Sequence, residues 1–254
     1  FSAGRVALKV FRDDAGLPQN TIHAISLDQR GHLWVGTQDG AARYNGHQWS
    51  VRNMPNRERS NFVRTILAAN DGSIWFGTQA DGLHRLADGV WSTPPGIDHR
   101  GRHRRVNALI ETAEAGGAVI WAATHGGGVI RLARDAVTVF DERDGLPSAR
   151  VWSLYETIGD AGTPVIWAGT ERGLARLPTG ADRWSVDVGY PTNSVNSLLE
   201  VSDDAGVRSL WAGTYGAGVA RLENGRWSWQ NSRSGLSSDF VTSLLAARGR
   251  SGVW

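Results

Sequence analysis

An all-β propeller is the fold class this sequence predicts, and three observations predict it. The stretch Leu33-Trp34-Val35-Gly36-Thr37 returns as Ile74-Trp75-Phe76-Gly77-Thr78, Ile120-Trp121-Ala122-Ala123-Thr124, Ile166-Trp167-Ala168-Gly169-Thr170 and Leu210-Trp211-Ala212-Gly213-Thr214, and a further copy opens at Val253-Trp254. Successive tryptophans in these copies lie 41, 46, 46, 44 and 43 residues apart, in or near the period of a blade built from four strands. The 32 Gly and 12 Trp, set among short apolar runs cut by Gly, Asp and Asn, suit short strands and tight turns, and no long helical period is present. Because the repeat runs from end to end, residues 1–254 read as a single domain with a shared core.

Residues 7–11 are expected to form a lone strand, like the segments around Trp49-Ser50-Val51 and Trp184-Ser185-Val186, and so the outer strand of a blade completed elsewhere. Gly16-Leu17-Pro18 turns the chain into the first full unit, with strands A to D expected near residues 22–27, 32–37, 41–44 and 48–51. The second unit places them near 62–68, 73–78, 83–86 and 90–93, and further units begin at Val106, Val151 and Val195. Residues 240–246 supply strand A of one more blade, whose strand B opens at 252–254. The expected architecture is therefore five complete four-stranded antiparallel blades and part of another. An open blade would leave unpaired edges, so continuation past Trp254 is expected.

Blade sheets are covered on both faces, so strand B is apolar on both alternations and small where backbones crowd. The Gly at 36, 77, 169 and 213 is Ala123 in the third copy, which points to a demand for a small side chain and not for a glycine backbone angle. Each strand-B Trp is expected to pack between blades. Asn70-Asp71-Gly72 reads as a tight turn, while 114–118, 159–164 and 202–207 read as longer polar loops. Arg43, Arg85, Arg131, Arg176 and Arg221 each follow by three residues the Gly that opens strand C, a regularity that assigns them to packing or pairing between blades.

Thr21 to Tyr44 (TIHAISLDQRGHLWVGTQDGAARY) and Asn61 to Leu86 (NFVRTILAANDGSIWFGTQADGLHRL) resemble the two-component regulator propeller repeat, as do the turns Gly16-Leu17-Pro18, Gly145-Leu146-Pro147 and Gly235-Leu236-Ser237. The resemblance implies a fragment of a seven-bladed ring from the extracytoplasmic part of a bacterial membrane sensor. It also implies an output module, a histidine kinase or diguanylate cyclase, beyond this chain. The longer A-to-B turns of the later units depart from the family's Asp-x-x-Gly pattern.

A polar position that differs from blade to blade on one rim is a better ligand candidate than one that repeats. The residue after the first apolar residue of each strand A varies in this way: His23, Arg64, Asn107, Trp152, Asn196 and Thr242. So does the first residue of each B-to-C loop: Gln38, Gln79, His125, Glu171 and Tyr215. Aromatics beside amides and guanidinium groups suit a sugar ring or a peptide. The run from His99 to Arg105, beside Arg57 and Arg59, is the one conspicuous charge cluster, either a solvated loop or a clamp for a uronate or sulfate. From these sets, the expected ligand-binding residues are His23, Arg64, Asn107, Trp152, Asn196, His125, Tyr215 and Arg105.

The net charge of +2 argues against a nucleic-acid or membrane partner. Zero cysteines exclude disulfides and thiolate metal sites, and no apolar run reaches the length of a membrane span. The sequence opens on Phe1, consistent with a targeting segment lost upstream. No zincin, nucleophile-elbow, phosphate-loop or calcium-loop motif is present, so neither catalytic residues nor metal nor cofactor is expected. The expected function is a noncatalytic, periplasmic sensor that binds a small molecule or oligosaccharide at the channel mouth. Its partners would be that ligand, the output module, and a second copy through a full-length dimeric receptor. The alternatives are an interaction scaffold and a propeller lyase using His23, His125 and Tyr215.

Overall fold

The repeated pentapeptide becomes the buried second strand of every blade, and its three kinds of residue divide the work of building one. The computed structural model describes residues 9–134, 136–159, 162–190, 193–246 and 253. Over these the chain forms five four-stranded antiparallel sheets, each a meander in sequence order. The first comprises β1 (Ile22–Leu27), β2 (Leu33–Thr37), β3 (Gly40–Tyr44) and β4 (Trp49–Arg52); the second β5 (Val63–Ala68), β6 (Ile74–Thr78), β7 (Leu83–Ala87) and β8 (Val90–Ser92). The third comprises β9 (Val106–Glu114), β10 (Gly117–Thr124), β11 (Val129–Ala133) and β12 (Ala136–Phe140); the fourth β13 (Val151–Ile158), β14 (Pro164–Thr170), β15 (Gly173–Pro178) and β16 (Ser185–Val186). The fifth comprises β17 (Val195–Ser202), β18 (Arg208–Thr214), β19 (Val219–Glu223) and β20 (Arg226–Gln230). The first strands of successive blades, β1, β5, β9, β13 and β17, pack side by side, which makes them the inner strands around a central channel. Among the described residues no helix is long and apolar enough to cross a membrane.

The strand-B glycine is a socket. A Cβ on Gly36 would lie 2.8 Å from Val63 Cγ1, on Gly77 2.7 Å from Val106 Cγ1, on Gly169 2.7 Å from Val195 Cγ1 and on Gly213 2.7 Å from Val241 Cγ1. Val63, Val106 and Val195 open the next blade's inner strand and Val241 holds the equivalent position after the fifth blade, so the repeat joins blades by seating a β-branched residue on bare backbone. The sequence-based expectation of a size requirement therefore holds: none of these four glycines has a positive φ. Ala123 keeps its methyl opposite Ala108, where the fourth blade has Ser153 opposite Gly169. Gly169→Ala is expected to destabilise the fold by about 1–3 kcal/mol. Adding Ser153→Ala should recover part of that loss, since the new Cβ also falls 2.2 Å from Ser153 Oγ; denaturant unfolding of the two variants measures it.

The threonine of each pentapeptide is fully buried and closes the B-to-C turn. Thr37, Thr78, Thr124, Thr170 and Thr214 donate through Oγ1 to the carbonyls of Gly40, Gly82, Gly128, Gly173 and Gly218 at 2.8–3.0 Å. The same hydroxyls accept from loop N–H groups at 2.9–3.1 Å. The strand-C arginines cover the tryptophans: Arg43, Arg85, Arg131 and Arg221 lie 5.4–5.9 Å from the ring centroids of Trp34, Trp75, Trp121 and Trp211, while Arg176 is exposed.

Three expectations are corrected. Ala7 and Leu8 lie outside the described residues, and residues 9–11 are not in a strand. Residues 240–246 form no regular strand A of a sixth blade; Phe240 and Ala246 make isolated bridges with Tyr215 and Val253. A strand is held by a neighbour that satisfies its backbone groups, and residues 247–252 lie outside the described residues. The third unit's expected loop at 114–118 is instead mostly strand, with only Ala115 and Gly116 between β9 and β10: pairing across the hairpin satisfies backbone groups that a loop leaves to water. At the other end, Ile25 on β1 is 69% exposed. Its counterparts Ile66, Leu109, Leu154 and Leu198 are buried against the blade that precedes each of them.

Candidate functional site

All five inner strands start with the same irregularity. The register of strand A against strand B slips between Ile22 and Ala24, Val63 and Thr65, Val151 and Ser153, and Val195 and Ser197, and the third blade slips at the equivalent point before Ala108. The skipped residues are His23, Arg64, Asn107, Trp152 and Asn196. A bulged residue is freed from the ladder and its side chain is re-aimed; here the anchors Val63, Val106, Val151 and Val195 stay buried, Ile22 of the first blade is exposed, and the bulged side chains turn to the channel mouth.

The mouth is a cavity of about 640 Å³. Its wall includes His23, Arg64, Asn107, Trp152, Asn196 and Tyr215, six of the eight residues expected from sequence, together with Thr242, Glu171 and Ser194. The other two stand directly behind the wall. The Arg105 guanidinium lies 5.4 Å from the Trp152 ring centroid, and its Nε donates to Asn107 Oδ1 at 3.2 Å. The His125 ring lies 4.9 Å from Trp152. Asn107 also donates to the Val151 carbonyl at 2.7 Å, so that side chain closes the joint between two blades as well as facing the mouth.

Charge at the mouth is positive and comes from guanidinium groups. Burial and then the neighbouring Arg105 hold the Arg64 pKa below its ordinary value, and burial does the same for Arg105. His23 is pushed down by burial and by Arg64, and His125 by burial and then by Arg105, so both imidazoles are neutral at pH 7. The wall's carboxylate, Glu171, is engaged by Arg150 Nη1 at 2.8 Å. Arg64 Nη1 donates to Gln79 Oε1 at 3.0 Å, but its Nε is buried without a partner, as are Trp152 Nε1 and His125 Nδ1. A cavity with the Arg64 guanidinium on its wall and that of Arg105 behind it, neither paired to a carboxylate among the described residues, is suited to an acceptor-rich, anionic guest.

Phe62 belongs to the site and was not singled out from sequence. Its ring is 4.5 Å from that of His23 and 5.8 Å from the Arg64 guanidinium. It immediately precedes its blade's anchor, as do Arg105, Arg150 and Ser194, and that position varies between blades as much as the one after the anchor.

The basic run at 99–105 is less free than its sequence implies. Asp98 carboxylate oxygens accept from the N–H groups of Gly101 and Arg102 at 2.9 and 3.3 Å, and the Asp98 N–H donates to His103 Nδ1 at 3.0 Å. His103 is buried. Arg59 pairs with the buried Asp81 at 3.2 Å. The run is an internally tied loop that delivers Arg105 to the mouth. Among the described residues, no three His, Cys, Asp or Glu side chains are grouped to hold a metal ion.

The family description "Two component regulator propeller" matches residues 16–39 and 58–80. Two segments of the chain thus match the two-component regulator propeller repeat. Among solved structures it is similar to the extracellular domain of a hybrid two component system from B. thetaiotaomicron, at 17% identity and a TM-score of 0.57, covering 92% of this chain and 36% of that one. A second such domain from the same organism matches at 15% identity and 0.53, covering 96% and 41%. Virginiamycin B lyase from Staphylococcus aureus matches at 16% identity and 0.62, covering 90% and 75%. At these identities the likeness shows the propeller fold. This chain spans well under half the length of the two receptor domains. No curated protein matches it by sequence.

Proposed function

We propose that this regulator propeller is a noncatalytic, extracytoplasmic sensor that binds a small molecule or an oligosaccharide carrying an acidic group at its channel mouth. The observation that carries the proposal is Arg64 and Trp152 on the wall of one cavity, with the Arg105 guanidinium packed behind the indole. A sugar ring stacks on the indole while its carboxylate or sulfate meets the guanidinium groups. Support for a sensing role comes from the regulator repeats and from the receptor domains of similar fold. Ligand binding acts on an output module by population shift, through a preference for one arrangement of the receptor.

A thermal-shift screen of neutral and acidic glycans tests this. An acidic glycan is expected to stabilise the protein, with binding that weakens as ionic strength rises. Arg64→Gln removes a charge-assisted contact and should weaken binding by about 10-fold to 100-fold; Trp152→Ala should weaken it as well, with no change in salt dependence. The similar fold of virginiamycin B lyase, together with His23 and His125 at the same mouth, favours a second reading as an enzyme. Turnover of the stabilising glycan would replace the sensor by that lyase.

A further inference from the structure

A second basic site lies on the flank of the propeller, in the cleft between the first and second blades. Three of the five strand-C arginines carry a carboxylate. Arg85 Nη2 pairs with Asp71 at 2.7 Å, Arg131 Nε donates to Glu114 at 3.2 Å and Arg221 Nη2 pairs with Glu223 at 2.6 Å. Asp71 does so from the A-to-B turn of the second blade, which is closed by bonds from Ala69 N to Ser73 O (2.8 Å) and Gly72 N to Ala69 O (3.0 Å). The first blade has the same turn, closed from Asp28 N to His32 O (3.0 Å) and Gly31 N to Asp28 O (2.9 Å). The residue standing where Asp71 stands is Arg30. The first blade thus carries a base at the position from which the second blade supplies the acid on its strand-C arginine.

The consequence is local. Arg43 is held over Trp34 at 5.9 Å with its Nε buried and unpartnered, and has no ion pair among the described residues. It lines a cleft of about 660 Å³ together with Arg30, Arg52, Trp34 and the half-buried Trp91. Two of the acids in that cleft are occupied: Asp28 accepts from Trp34 Nε1 and the Arg30 and His32 N–H groups, and Asp71 from Ser73 and Arg85. The third, Asp88, is on the exposed C-to-D turn. Arg176 has no carboxylate partner among the described residues either, but its side chain is exposed.

We propose that this cleft binds an oxyanion, the carboxylate or sulfate of a ring-sized ligand, which does for Arg43 what the carboxylates of Asp71, Glu114 and Glu223 do for the arginines of three other blades, is flanked by Arg30 and Arg52, and rests its ring against Trp91. The site is separate from the channel mouth and stands whether or not the mouth binds acids. Charge-assisted bonds to a guanidinium in a sheltered cleft supply affinity, and the aromatic wall selects ligands with a flat apolar face.

Glucuronate and inorganic sulfate are the probes, titrated into the full chain carrying Arg64→Gln so that the mouth is silenced, with the indole N–H signals of Trp34 and Trp91 followed by NMR. Saturable shifts of these two signals are expected with glucuronate, and weaker binding with sulfate. Arg30→Asp places the second blade's acid in the turn beside Arg43 and should weaken glucuronate binding by about tenfold or more without lowering the melting temperature. Arg43→Gln should weaken it comparably. Unmoved Trp34 and Trp91 signals, or glucuronate affinity retained in folded Arg30→Asp and Arg43→Gln proteins, would overturn the site.

Discussion

Trp121→Ala is expected to cost about 3–5 kcal/mol of folding stability. Trp121 is 2% exposed and belongs to the core cluster that joins the third blade to the fourth. Its ring lies 6.2 Å from Phe140 of its own blade and 6.5 Å from Trp184 of the next, with the Arg131 guanidinium 5.7 Å from its centroid. Its Nε1 donates to Thr112 Oγ1 at 3.0 Å, so truncation also strands a buried hydroxyl. Packing of this density relaxes only partly around a void. Trp211, half-buried in the fifth blade, should cost less on truncation. Equal losses at the two positions in denaturant unfolding would show that the strand-B tryptophans do not act through burial at blade joints.

Gly128→Ala is expected to cost about 2–5 kcal/mol, combining roughly 1–2 for a left-handed backbone with roughly 1–3 for overpacking. Gly128 opens strand C at φ +76, and a Cβ there would lie 1.8 Å from the Phe140 carbonyl oxygen and 2.9 Å from its carbon. Those atoms are backbone, so no rotamer change relieves the clash. Displacing Gly128 would also pull its carbonyl from Thr124 Oγ1. Gly225 separates the two effects: it has φ +73 and nothing within 4 Å of the same position. Gly225→Ala should therefore show the conformational part alone, and thermal or denaturant melts of the two proteins measure the difference.

Two glycines per repeat thus serve different purposes, and the sequence already separated them. Ala123 standing for one of the strand-B glycines showed that position to be about space, while the strand-C glycine had no exception among the five units. The arginine series was legible for the same reason, since a residue at a fixed register in every blade acts on something that recurs in every blade, here the indole of strand B. Arg176 kept the register without the partner, because its exposure follows from side-chain placement that spacing does not carry.

The mouth was legible in part. Variation after each anchor singled out His23, Arg64, Asn107, Trp152 and Asn196, and the fold brings all five to one cavity. What aims them is a bulge in each inner strand, which an alternating apolar pattern does not reveal because a bulge is a shift in pairing with the neighbouring strand. Phe62 shows the cost: the residue before the anchor shares the rim, yet a period-two reading assigns it to no surface in particular.

The sequence by itself determined the blade, its four-strand meander, its repeat length and the positions that must be small, because these depend on periodicity and on steric limits within one unit. Tertiary structure alone decided which donors remain unsatisfied near the mouth, which loop arginine reaches Trp152, and that Arg43 and Arg30 line one cleft while the strand-C arginines of three other blades meet a carboxylate. Those properties depend on distances between side chains some tens of residues apart, and on burial that strips water from one charge and leaves it on the next. Leu33-Trp34-Val35-Gly36-Thr37 and its copies hold the blades together; the unequal residues between them carry the chemistry.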